Sequence, residues 1–303
     1  MAEPFWVDGY SDTAVSTMGT PNFDLVAMLD ILPSGRVLDL GAGEGRNSLL
    51  LASAGFPVHA VDISAAGMEK LSEIADRHGL PITCQTADIR EFELESDYSI
   101  VMAHGVIDYL ERPEWQSLVD DIKAHTDPGG INIYTCMIFN DSYPQPAEFR
   151  AAGFKTSLAL GELRAAYPGW HTWRYDYYVK WDSHPGIGTH VHPVEKTVIQ
   201  RPGPGPVFRP DPLTAGPDLA DAAGFDPIPI GAPSELVAER LGPPPLRLAA
   251  SAYGTQYGAS ALHDRGVHLE MWFYGHRVIY LADGVVAGKA LYVTDPAGVT
   301  ADE

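Results

Sequence analysis

The chain of 303 residues contains two cysteines, Cys84 and Cys136, far apart and without metal-ligand company. That spacing argues against a disulfide framework or a zinc site, and both thiols are expected to be reduced and buried, with no metal bound. Long apolar runs are missing as well. No stretch reaches the roughly 18 consecutive apolar residues of a spanning helix, and "MAEPFWVDGY" has neither the basic nor the apolar part of a secretory leader. The chain therefore reads as soluble and cytoplasmic, with no membrane partner. Basic residues are scarce: 20 Lys and Arg face 40 Asp and Glu, a formal charge of −20. Such a surface repels polyanions, which argues against nucleic acid and leaves a small molecule as the expected partner.

What is present is ordinary globular composition, 45% hydrophobic and 20% charged, enough for one large domain or two. The most informative stretch is "GRVLDLGAGEGRNSLLLASAGFPVHAVDIS". A short apolar strand ends in Asp39, and Gly41, Gly43 and Gly45 follow. "RNSLLLASAG" reads as a helix closed by Gly55, and "PVHAVDIS" as a second strand ending at Asp62. This is a βαβ unit with parallel strands and a right-handed crossover. Glycines serve where the backbone turns sharply and a ligand lies against it, and an acidic residue ending the second strand can accept two ribose hydroxyls. A dinucleotide fingerprint spaces its glycines G-x-G-x-x-G. Here the third glycine comes one residue early and Arg46 takes the fingerprint position, which favours S-adenosylmethionine over NAD.

The sequence resembles the class I S-adenosylmethionine-dependent methyltransferases over about residues 35 to 200. The carriers are "VLDLGAGEG", "TADIREFELESDYSIVMAHGVIDYL" and "LVDDIKAHTDPGGINIYTCM". The resemblance implies an α/β, Rossmann-like seven-stranded sheet with a terminal antiparallel hairpin. It also implies that Asp39, Gly41, Gly43 and Gly45 hold the methionine end of the cofactor, Asp62 the ribose and Asp88 the adenine, with Arg46, Asn47, Ile63 and Ile89 as further cofactor-binding residues. S-adenosylhomocysteine would be the product. "GRNSLLLASAGFPVHAVDIS", "AHTDPGGINIY" and "GELRAAYPGW" are further similar to the tellurite-resistance type of methyltransferase, a group associated with methylating sulfur, selenium and tellurium centres.

"GWHTWRYDYYVKW" alternates with period two, so it is a strand of the hairpin spanning 171 to 200. Alternation places Trp173, Tyr175 and Tyr177 on one face, either packed in the core or lining a substrate pocket, where aromatic faces would favour a cation such as a sulfonium. Other candidates for the substrate side are Trp6 and Tyr10 in an N-terminal lid (residues 1–34), Tyr109 after the fourth strand, and Tyr143 and Arg150 after the fifth. His104 is the expected catalytic residue, with Asp108, His190 and His192 as further candidates for a base. Methylation of an amine or hydroxyl needs such a base, whereas a thioether has no proton to lose. S-methylation of a thioether such as methionine, giving S-methylmethionine, is the expected reaction. O- or N-methylation with His104 as base, and a non-catalytic S-adenosylmethionine sensor, stay open.

"RPGPGPVFRPDPLTAGPD" marks a linker at 201–217. Beyond it "PSELVAERLGPPP" reads as a helix and "VHLEMWFYGHRVIYLADGVVAGKALYV" as two or three antiparallel strands, a small α+β accessory domain at 218–303. It is weakly similar to modules of the beta-lactamase-inhibitor and outer-membrane-assembly lipoprotein type. That likeness implies binding or dimerisation, so a homodimer through this module is an expectation.

Overall fold

A parallel strand pair needs a crossover, whereas an antiparallel pair needs only a turn, and the chain uses the two in that order. The computed structural model describes residues 10, 21–139, 144–145, 147–151, 153–155, 158–184, 188–204, 228–252, 267–274 and 277–293. Helix α1 (Phe23–Met28) is followed by the predicted unit of β1 (Val37–Leu40), α2 (Arg46–Ser53) and β2 (Val58–Asp62). All four residues of β1 are buried, as both faces of a central parallel strand must be. Then come α3 (Ala65–His78), β3 (Ile82–Thr86), β4 (Tyr98–His104), α4 (Arg112–Ala124) and β5 (Thr126–Met137). Local chemistry sets the helix limits. Ser64 caps α3 by accepting the Gly67 N–H, and Gly79 stops it in the left-handed conformation; Glu111 and Glu114 form a capping box at the start of α4.

Short helices α5 (Ala147–Ala151) and α6 (Glu162–Ala165) precede the hairpin of β6 (His171–His184) and β7 (Gly188–Gln200). The strand order β3-β2-β1-β4-β5-β7-β6, antiparallel only at β7 and β6, is that of the expected seven-stranded sheet. The sheet has a helix-covered core on each face. Leu50 and Leu51 of α2 pack with Val37, Ile100 and Ile131 on one side, and Trp115, Val119 and Ile122 of α4 pack with Leu38, Leu40 and Tyr134 on the other.

The C-terminal part holds the expected helix and antiparallel strands, with one strand more than the sequence marks. Helix α7 (Ser234–Leu241) is followed by four strands, β8 (Leu246–Ala252), β9 (Val267–Tyr274), β10 (Arg277–Ala282) and β11 (Val285–Val293). The unexpected one, β8, has the sequence "LRLAASA", whose alanines carry little strand preference. These strands also extend the sheet. Strand β11 pairs antiparallel with β6, from Lys289 opposite Trp181 to Val293 opposite Tyr177, so the sheet runs on through β11-β10-β9-β8 to eleven strands. The physical reason is the exposed edge of β6, whose unpaired N–H and C=O groups the C-terminal strands cover. Leu269, Met271 and Phe273 of β9 join the same core as Leu25 and Met28 of α1. The start of the expected linker continues the pairing too, with Arg201 N–H donating to Gly130 O at 2.8 Å; residues 205–217 lie outside the described residues. Among the described residues no helix is long and apolar enough to cross a membrane.

Candidate functional site

The turn between β1 and α2 is where the strand ends and the first helical N–H groups converge. Gly43 has φ +61°, and its N–H donates to Asp62 Oδ2 at 2.8 Å, while Asp62 Oδ1 accepts from Ser64 N–H at 2.8 Å. The carboxylate at the end of β2 thus fixes the glycine turn and the start of α3 together. Burial raises its pKa, opposed by these N–H donors. A Cβ on Gly43 would stand 2.8 Å from the Tyr10 hydroxyl, and one on Gly67 would stand 2.7 Å from Gly43 O, so the turn is packed too closely for side chains. Tyr10 therefore sits on the glycine turn. Its hydroxyl pKa is driven up by burial and then by the Asp62 carboxylate. Asp39 lies behind the turn, accepting from Ser48 Oγ at 2.6 Å, and burial lifts it to about 7.

The acidic residue inside the turn, Glu44, is paired with Lys70 of α3 at 2.7 Å, each with 1% of its side chain exposed. Neither residue was marked by the sequence motif. Their pairing adds a second tie between turn and helix, and a buried pair of this kind specifies geometry more dependably than it adds stability.

At the ends of β2 and β3 the expected nucleoside side offers Ile63, 45% exposed, and the half-buried Ile89. An exposed isoleucine beside an anchored carboxylate gives a flat aromatic ring an apolar surface, which fits a nucleoside. Asp88 is not idle there: Arg90 Nε lies 2.9 and 3.0 Å from its two carboxylate oxygens, and this hydrogen bonding holds its pKa down. A ligand amino group at Asp88 would share it with that guanidinium.

On the acceptor side, β4 ends at His104. Its Nδ1 lies 2.9 Å from Asn22 Nδ2, and Asn22 Oδ1 accepts from Lys196 Nζ of β7 at 3.4 Å. The Asn22 N–H in turn donates to Asn47 Oδ1 at 2.9 Å, so Asn47 ties down the segment before α1. Arg46 is half-buried at the first position of α2, next to that tie. The turn after β4 carries Asp108 and Tyr109. Asp108 Oδ1 accepts the Met137 N–H at 2.8 Å, which joins the ends of β4 and β5, and burial lifts its pKa to about 7. Tyr109 meets Phe154 at 4.3 Å between ring centroids, Phe154 meets Phe149 at 5.0 Å, and Phe149 meets Phe139 at 6.0 Å. These four rings make an aromatic cluster after β4 and β5. Among the described residues no three His, Cys, Asp or Glu side chains are grouped to hold a metal ion.

The aromatic strand differs from strict alternation. A β-bulge between Thr172 and Arg174 inserts Trp173 as an extra residue. Trp173 consequently turns to the α2 face, packs with Val194 and Val198, and donates its indole N–H to Gln200 Oε1 at 2.8 Å. Tyr177 belongs to the opposite core, and Tyr175 donates to Glu195 Oε2 at 3.1 Å beneath the Arg164 guanidinium. Trp173 and Tyr175 are therefore apart from each other. Arg150 is exposed and donates to Gln145 O at 3.3 Å. Trp6 and Tyr143, and the side chains of His190 and His192, lie outside the described residues. Asn22, Lys196 and Glu195 were missed because each acts through partners distant in sequence, and no local spacing marks them.

Comparison with known proteins fits this geometry. A family model described as tellurite resistance protein TehB matches residues 3–181. Hemagglutinin 1 of Eikenella corrodens is 34% identical over 141 residues, 46% of this chain and 45% of that protein. A probable S-adenosyl-L-methionine-dependent methyltransferase TehB of Haemophilus influenzae is 28% identical over 174 residues, 57% of each protein. The crystal structure of TehB from Haemophilus influenzae has a TM-score of 0.54 and 25% identity, covering 59% of this chain and 62% of that one. The chain spans about half the length of the curated relatives it matches. The family match takes in the glycine turn, both acidic strand ends, the turn after β4 and most of β6, and with more than half its length so matched the chain belongs to the tellurite resistance protein TehB family.

Proposed function

We propose that the protein transfers a methyl group from S-adenosylmethionine to a small molecule, and that its acceptor is a thioether sulfur such as that of methionine. The observation that carries the reading is the turn itself: left-handed Gly43 bonded to the Asp62 carboxylate, with apolar Ile63 exposed beside it. Bound S-adenosylmethionine supplies an electrophilic methyl on a sulfonium. The glycine turn, Asp39 and Tyr10 would hold its methionine end, and Asp62, Ile63 and Ile89 its nucleoside. The chain's own contribution is alignment and exclusion of water, since methyl transfer is an in-line displacement.

Sulfur as the acceptor atom is supported by the rings of Tyr109, Phe139, Phe149 and Phe154. Their faces suit an apolar thioether and then the positive charge it acquires. A second reading, N- or O-methylation, has its own observation. Buried Asp108, with a pKa near 7, has the poise of a general base. The test is S-adenosylhomocysteine release against methionine, other thioethers, thiols, selenite, tellurite, amines and catechols. Release with a thioether supports the proposal. Release with amines or catechols alone ends it.

A further inference from the structure

The contact between Asn22 and His104 carries more information than its length. An ammonium has three donors and no lone pair, so Lys196 Nζ can only donate to Asn22, and the atom it meets must be the amide oxygen. The other end of that amide is therefore its NH2 group, 2.9 Å from His104 Nδ1. An NH2 group can only donate, so Nδ1 must accept. An imidazole nitrogen that accepts carries no proton, and in the neutral ring the proton is then on Nε2.

We propose that Asn22 is a positioning residue that fixes His104 as the Nε2–H tautomer, with its one lone pair turned to the Asn22 amide, so that His104 cannot take a proton from a methyl acceptor. The chain of three side chains is well anchored at both ends. Lys196 is fully buried in β7, the Asn22 backbone is tied to Asn47, and His104 ends β4 in register with Thr135. His104 then meets other groups as a donor at Nε2. The consequence for methyl transfer rests on the methyltransferase reading above; the tautomer does not.

The test is the long-range proton–nitrogen correlation spectrum of the full chain labelled with nitrogen-15 histidine. The His104 signal is identified by its loss in His104→Gln and by its displacement in Asn22→Ala. The expected pattern is an unprotonated Nδ1 and a protonated Nε2. Asn22→Asp, which offers only acceptors, is expected to move the proton to Nδ1. A wild-type spectrum with protonated Nδ1 and bare Nε2 overturns the proposal, whatever the protein methylates.

Discussion

Asp108 gives the sharpest quantitative test of the site, because its burial and its hydrogen bonds predict how stability changes with pH. It is 2% exposed, Oδ1 accepts the Met137 N–H, and Oδ2 has no hydrogen-bond partner among the described residues. Burial lifts its pKa from the ordinary 3.8 to about 7. Between these values the unfolded chain has released the proton and the native protein still holds it. The native state then binds more protons, so stability falls as pH rises through this window and levels off above about 7. Each pH unit corresponds to about 1.4 kcal/mol, which bounds the loss at about 4 kcal/mol. Relaxation and water penetration reduce this to about 2 kcal/mol, since buried sites respond as if their effective dielectric were about 20. Asparagine retains a carbonyl for Met137 and cannot ionise. Asp108→Asn is therefore expected to be about 2 kcal/mol more stable than the wild type at pH 8 and nearly equal to it at about pH 3, below the unfolded-state value. Urea unfolding of both proteins at both pH values measures this, and titrations common to the two cancel. A stability difference that is the same at both pH values would refute the reasoning.

Other substitutions separate the parts of the site. Gly43→Ala must place a Cβ against the Tyr10 hydroxyl at φ +61°, a conformation costing about 1–2 kcal/mol, and is expected to weaken S-adenosylmethionine binding at least tenfold by calorimetry. An unchanged Kd would show that the turn does not hold the cofactor. Trp173→Phe loses the 2.8 Å hydrogen bond to Gln200, so thermal unfolding should register a loss of about 1–2 kcal/mol with acceptor KM unchanged. A raised KM with unchanged stability would return Trp173 to the substrate side. Tyr109→Ala opens the aromatic cluster next to Phe154 and is expected to raise acceptor KM about tenfold, while S-adenosylmethionine affinity stays the same. Equal losses in both would mean that Tyr109 supports the whole domain.

The βαβ unit was legible because its signals are local: a glycine turn, a helix stop and an acidic strand end lie within thirty residues. The hairpin was legible from period two. The bulge was not, since one inserted residue leaves the composition of β6 unchanged while sending Trp173 to the other face. Continuity of the sheet was hidden for a different reason. A Pro- and Gly-rich stretch looks like a boundary, and only the pairing of β11 with β6 shows that the chain returns to the same sheet. The lining of His104 by Asn22 and Lys196 joins residues more than eighty positions apart on either side, which no motif records.

The eleven-stranded sheet also sets an order of events during synthesis. Helix α1 precedes β1, yet Leu25 and Met28 share a core with Leu269, Met271 and Phe273 of β9, which is made long after it. Asn22 stands immediately before that helix. Until about residue 274 has left the ribosome, the helix after Asn22 lacks its β9 partners, and β6 waits with an open edge. The glycine turn can fold while the chain is still growing. The packing of α1 is completed only after β9 is made, so the C-terminal strands act as a timer on the helix that follows Asn22.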